Sequence, residues 1–235
     1  MISRSSPISE ATAALSAGEP PSDCRLCPRL AAYRANNSAA NPSWFNAPVP
    51  WFGDPRAWLA IVGLAPGLRG ANRTGRPFTG DFAGELLYAT LAEFGLASGT
   101  YAADPADGLV LEGALIINAV RCAPPDNKPT GGEIATCNRF LKAQLAALPA
   151  LTAVLALGRI AHAATITATG AKASTFLFAH GQRHCLNDVT VFDSYHCSRY
   201  NTNTGRLTRA MFRDVFAAIV SERDRQRRGV SHGRG

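Results

Sequence analysis

The residues of this 235-residue chain that could do chemistry fall into three groups. The first is the loop 63–81, GLAPGLRGANRTGRPFTGD, with five glycines, two prolines and three arginines in nineteen residues. That composition is incompatible with a helix or strand interior. It describes a shaped loop whose backbone N–H groups and cationic side chains approach an anionic ligand, such as a nucleotide or a nucleic-acid backbone. A Gly-rich loop alone is a weak signal. The second group is a set of thiols. Cys24 and Cys27 form a CxxC, and Cys122 and Cys137 follow with fourteen residues between them. Four thiolates can hold a structural zinc or a cubane iron–sulfur cluster; the same residues can also be two buried cysteines beside a lone CxxC. The third group is Asn118, closing the run Ala-Leu-Ile-Ile, and His196 within SYHCSRYNTNTGRLT at 194–208. An amide offers a donor and an acceptor to a ligand edge, but a strand-end Asn can equally be a turn or cap residue. His180 to Cys185, HGQRHC, has ligand-like spacing, yet its place between an apolar run and a strand reads as turn and surface. His162, on a helix after Gly158-Arg159, reads as structural.

The elements that must position these groups follow from periodicity. Apolar runs at 58–62, 114–118, 153–157 and 189–193 have the length and content of buried strands. Helical patterns separate them: Leu87, Leu91 and Phe94 before Gly95, then 134–148 ending at Pro149, then the stripe Phe212, Val215, Phe216, Ile219 and Val220. The alternation predicts a single-domain, three-layer α/β/α fold around a central, mostly parallel four-stranded sheet, with ligands at the carboxyl ends of the strands. The loops 63–81, 118–122, 158–159 and 195–207 would then open onto one edge. Residues 1–22, rich in Ser, Ala, Pro and Gly, read as a loosely ordered arm, 23–221 as the domain, and 222–235, with Arg223, Arg225, Arg227, Arg228 and Arg234, as a basic flexible tail.

The formal charge is +7, carried by 21 arginines and only three lysines. Arginine grips phosphate with a planar fork of donors, so a polyanionic partner fits; compositional bias of an Arg-rich proteome is the alternative. No apolar stretch reaches the roughly 18 residues of a membrane span, and 1–20 have no signal-peptide core, so a cytoplasmic protein is expected. There, six cysteines suit ligation better than a disulfide framework.

Loop 63–81 and segment 194–208 resemble the first and last motifs of the uracil-DNA glycosylase superfamily, and the TGRLT continuation is typical of its family 5, the B-type iron–sulfur enzymes. The resemblance spans about 24–220. It implies a monomeric, nucleoid-associated repair enzyme that flips uracil, and deaminated bases such as hypoxanthine and xanthine, out of double-stranded DNA and hydrolyses the N-glycosidic bond. It also implies a [4Fe-4S] cluster on Cys24, Cys27, Cys122 and Cys137 that staples the N-terminal arm to the sheet. His196 is then the donor to the departing base, and Asn118 and Phe78 read and stack on that base. Gly63, Ala65 and Gly67 belong to the pocket. Ala65 stands where the best-known branch has a water-activating Asp, and Leu64 where family 4 has Glu, which leaves Asn72 and then Asp81 to position water. Gly67 replaces a bulky ring and implies a roomier pocket. DNA contacts fall to Arg73, Arg76, Ser198, Arg199, Tyr200, Asn201 and Arg206, with 198–203 in the minor groove. Cys197 replaces the usual Pro, which would loosen the histidine loop. That departure keeps a second reading open, a non-catalytic or weakly active iron–sulfur nucleic-acid-binding protein; a family 4-type enzyme is a third.

Overall fold

The computed structural model describes residues 7–232, so Arg234 and residues 1–6 of the expected flexible segments lie outside it. Eight strands run in chain order: β1 (Phe52–Gly53), β2 (Leu59–Gly63), β3 (Ala97–Ser98), β4 (Val110–Leu111), β5 (Ala114–Asn118), β6 (Ala153–Leu157), β7 (Arg183–Leu186) and β8 (Val189–Ser194). The helices are α1 (Pro7–Ala17), α2 (Pro28–Ala40), α3 (Ala71–Thr74), α4 (Phe82–Glu93), α5 (Gly131–Ala147), α6 (Arg159–Ala168), α7 (Arg199–Asn203) and α8 (Arg209–His232).

The main sheet has six strands in the order β1-β5-β2-β6-β8-β7, and β3 and β4 form a separate ribbon. Its four central strands are parallel, in register Val62 to Ile117 and Ala156, and Leu157 to Ser194. Every residue of β2, β5 and β6 is buried, as continuous apolar runs covered on both faces should be. Successive side chains feed opposite cores. Leu59 and Ile61 join Leu87, Leu91, Phe212 and Phe216 under α4 and α8, whereas Ala60 and Val62 join Leu141, Leu145 and Ala161 under α5 and α6.

Three expectations need correcting. The sheet has six strands, not four: β1 and β7 add themselves antiparallel at the two edges. β1 has two residues, too few for any periodicity, and β7 reads Arg-His-Cys-Leu, with His184 and Leu186 buried and Arg183 and Cys185 exposed. The N-terminal segment is also not a loose arm over its described length. α1 buries Leu15 completely in the α5–α6 core, and Glu19 pairs with the buried Arg121. An apolar pair at i, i+4, Ala11 and Leu15, outweighs the low-complexity composition around it. At the other end the expected flexible tail from 222 continues α8 to His232, with Arg223 over the Trp58 ring at 4.1 Å and Glu222 bonded to Arg183 at 3.0 Å. Among the described residues, no helix is long and apolar enough to cross a membrane.

Candidate active site and cysteine cluster

A cavity of about 360 Å³ opens at the carboxyl ends of β2 and β5. Leu64, Ala65, Pro66 and Gly67 form one wall, Phe78, Asp81 and Asn118 the floor, and His196, Ser198 and Arg199 the rim supplied after β8. The Phe78 ring lies nearly parallel to the His196 imidazole, 24° between planes and 5.8 Å between centroids. Phe78 has φ of 53°, a left-handed conformation that costs a non-glycine residue roughly 1–3 kcal/mol. Its surroundings hold it there. Tyr101 Oη donates to the Phe78 carbonyl at 3.1 Å, Tyr88 Oη to the Pro77 carbonyl at 2.6 Å, and a Cβ on Gly84 would sit 1.9 Å from that Phe78 oxygen. Gly63 lies behind the floor and not in the lining; a Cβ there would meet Asn118 Oδ1 at 2.4 Å and the Phe78 ring at 2.8 Å. Its role is to let these two side chains come together.

Asn118 is buried, yet its amide has no hydrogen-bond partner among the described residues, which leaves both its donor and its acceptor for a ligand. Among the described residues, neither ring nitrogen of His196 has a hydrogen-bond partner. Desolvation pushes its pKa down to about 4, so the imidazole is neutral at pH 7 and retains one N–H to donate. Asp81 caps α4, accepting from the Gly84 N–H at 3.2 Å, and burial raises its pKa above the usual carboxylate value. A Cβ at Gly67 would lie 3.6 Å from Asp81 Oδ2, so the carboxylate faces the low wall of the cavity.

Two further expected site residues sit elsewhere. Asn72 is buried in α3, and its amide donates to Asn46 Oδ1 at 2.9 Å, away from the cavity lining. It braces the loop, which leaves Asp81 as the candidate for handling water. Arg76 is not available to DNA. It is 4% exposed, forks onto both oxygens of Asp107 at 2.7 Å, and donates to Thr79 at 2.7 Å while its guanidinium lies over the Phe52, Tyr88 and Tyr101 rings. This pairing holds the Asp107 carboxyl well below the usual range and anchors the segment that aims Phe78. Arg73 is exposed beside the cavity loop.

The histidine loop is organised by α7. Ser198 caps it by accepting from the Asn201 N–H at 3.4 Å, and Asn201 Nδ2 returns to the His196 carbonyl at 2.8 Å. These two residues shape the loop, whereas Arg199 and Tyr200 are exposed, Tyr200 by 71%. Arg206 is exposed too, its guanidinium over Tyr195 at 4.6 Å. Cys197 is fully buried in the core formed with Leu207 and Phe212, and burial raises its thiol pKa. It acts as a small apolar filler, so packing supplies the stiffness that proline would have given. Asn127, which the sequence did not single out, also lines the cavity; it lies in the Pro-Pro-Asp-Asn turn between Cys122 and Cys137, with φ of 56°. The signal was the turn itself, since Asn tolerates the left-handed region.

Cys24, Cys27, Cys122 and Cys137 converge on one side of α5 with Leu26, Leu30, Arg34 and Phe140 around them. N–H donors already point at the sulfurs: Arg34 Nη1 at Cys122 Sγ, 3.2 Å, and the Arg121 backbone N–H at Cys137 Sγ, 3.4 Å. Burial raises the thiol pKa of Cys122 and, to about 12, of Cys137. A donor set of four soft ligands with N–H groups aimed at them suits a thiolate-bound metal centre.

At the carboxyl edge of the parallel sheet the cavity thus offers a ring face on which a planar ligand can stack, and an amide and an imidazole that can hydrogen-bond its edge. The family model for the uracil DNA glycosylase superfamily matches residues 50–220, and the chain belongs to that superfamily. It is 47% identical over 199 residues to the type-5 uracil-DNA glycosylase of Thermus thermophilus, covering 82% of this chain and 90% of the relative. It is 40% identical over 204 residues to the type-5 enzyme of Pyrobaculum aerophilum, covering 85% and 89%. A type-4 uracil-DNA glycosylase of Sulfurisphaera tokodaii is 29% identical over 175 residues, covering 71% and 72%.

Proposed function

We propose that this protein excises uracil, and other deaminated bases such as hypoxanthine and xanthine, from double-stranded DNA by hydrolysis of the N-glycosidic bond, acting as a monomer. The observation that carries the reading is the neutral His196 beside the Phe78 ring in one cavity, with the unpartnered Asn118 amide on its floor. A flipped base stacks on Phe78 and presents its edge to Asn118. Bond cleavage leaves a sugar cation and a base anion, and His196 donates to the anion without changing its own charge. The Asp81 carboxylate orients water towards the sugar and stabilises the cation. Gly67 leaves that wall low, which supports entry of bases larger than uracil.

The four cysteines fit a [4Fe-4S] cluster. Cys24, Cys27, Cys122 and Cys137 would hold the cluster, which would supply folding energy by joining the CxxC to the 122–137 segment that carries Asn127. The test is a nicking assay on duplexes carrying each lesion, followed by alkali, with iron and zinc content measured on the same preparation. Base release from uracil with about four irons per chain is expected. Tight lesion binding with no release at high enzyme excess supports the non-catalytic reading instead, and stoichiometric zinc without iron removes the cluster.

A further inference from the structure

His162, His184 and Asp193 come from α6, β7 and β8, and their ligand atoms all lie within 4.8 Å of one another. All three are buried, with Asp193 fully so and His184 8% exposed at the sheet edge. We propose that they form a divalent transition-metal site of the zinc type, distinct from the cysteine cluster and from the base pocket.

The hydrogen-bond geometry points to a cation at the centre. His162 Nε2 faces the Phe176 carbonyl at 2.9 Å, and a carbonyl can only accept, so this nitrogen carries the proton. In the neutral ring that leaves Nδ1 as a lone pair aimed at Asp193 Oδ1, 2.7 Å away. Two lone pairs at that distance are held together by a positive charge, either a proton in an imidazolium–carboxylate pair or a metal ion bound beside them, and zinc uptake separates the two. His184 Nε2 closes on the other carboxylate oxygen at 3.0 Å. A metal-bound histidine characteristically donates its second N–H to a backbone carbonyl, which is the arrangement His162 already has. The carboxylate is oriented in turn by the Ala179 N–H, 3.3 Å from Oδ2. Tetrahedral zinc with N and O ligands at about 2.0–2.1 Å sets ligand–ligand edges of about 3.3 Å, so the two histidine–carboxylate contacts, at 2.7 and 3.0 Å, would open by roughly 0.3–0.6 Å.

The chemistry of the donor set, two imidazoles and one carboxylate, suits zinc and its first-row neighbours, with water completing the shell. Phe176 and Phe178 stand edge-on to His184 and His162 and supply an apolar wall. Cys185 takes no part, because alternation along β7 turns it outward. A metal here would tie α6 and the edge strand β7 to β8, three residues before His196.

The test uses the cluster-loaded protein dialysed against buffered micromolar zinc. Elemental analysis should give one zinc per chain in addition to the iron, and X-ray absorption at the zinc edge should show N/O scatterers at about 2.0–2.1 Å with no sulfur shell at about 2.3 Å. Asp193→Asn and His184→Gln should weaken zinc binding by more than the roughly 10- to 100-fold typical of outer-shell partners, with the iron content unchanged as the control for folding. No zinc uptake by the wild type, a sulfur shell, or full zinc retention by Asp193→Asn overturns the site. If the variants fail to fold, the wild-type uptake and its scattering shell decide alone.

Discussion

At the scale of single residues, the donor in the pocket works because it is dry. Desolvation alone lowers the His196 pKa to about 4, so the neutral form is the working form across the physiological range. The single-turnover excision rate should therefore not fall as pH rises through 6.5; a tenfold loss per unit above that point would identify imidazolium as the donor instead. Stability carries the opposite signature. The folded pKa lies below the unfolded value near 6.5, so the unfolded chain binds more protons and stability is lost as pH falls from about 6.5 towards 4. His196→Ala should remove that part of the acid sensitivity while slowing excision by on the order of 10²- to 10³-fold, with lesion-duplex binding little changed. The two residues expected to handle water now separate. Asp81→Asn, in the cavity, should cost on the order of 10² or more in single-turnover rate, whereas Asn72→Ala, bonded to Asn46, should act mainly on the thermal stability of the loop.

At the scale of elements, the N-terminal helix is fastened by a buried charge pair that no local pattern reveals. Arg121 is 1% exposed and meets Glu19, Gln144 Oε1 at 2.8 Å and the Val49 carbonyl at 2.8 Å, all distant in sequence. Glu19→Ala strands the guanidinium in a dry environment and should lower stability by on the order of 3 kcal/mol, read from the urea midpoint; exposed Glu10→Ala should have almost no effect. The same contrast explains what could be read from the chain. Four parallel strands were legible because each is a short β-branched or aliphatic run, and the cavity loops were legible because their motifs are long. Arg76 was misread because its meaning depends on Asp107, 31 residues away and joined to it only by the fold. Tyr101, which holds the Phe78 carbonyl, and the meeting of His162 with His184 at Asp193 were hidden for the same reason.

At the scale of the whole molecule, a net charge of +7 becomes DNA affinity only where arginines remain free to meet phosphate. Several are committed to carboxylates: Arg29 to Glu133, Arg76 to Asp107, Arg121 to Glu19 and Arg213 to Glu93. Arg73 and Arg199, by contrast, stand exposed around the cavity without a carboxylate partner among the described residues. Each phosphate neutralised releases condensed counterions and adds about 0.9 to the slope of log affinity against log salt. Arg73→Ala and Arg199→Ala should therefore each flatten that slope by about one and weaken binding uniformly across sequences. Arg213→Ala removes the same unit of charge from a surface pair and should leave the slope unchanged. Titrations of an undamaged duplex between 50 and 200 mM salt separate the two accounts: if all three variants flatten the slope equally, affinity follows net charge, and the rim of the cavity is not the DNA-binding face.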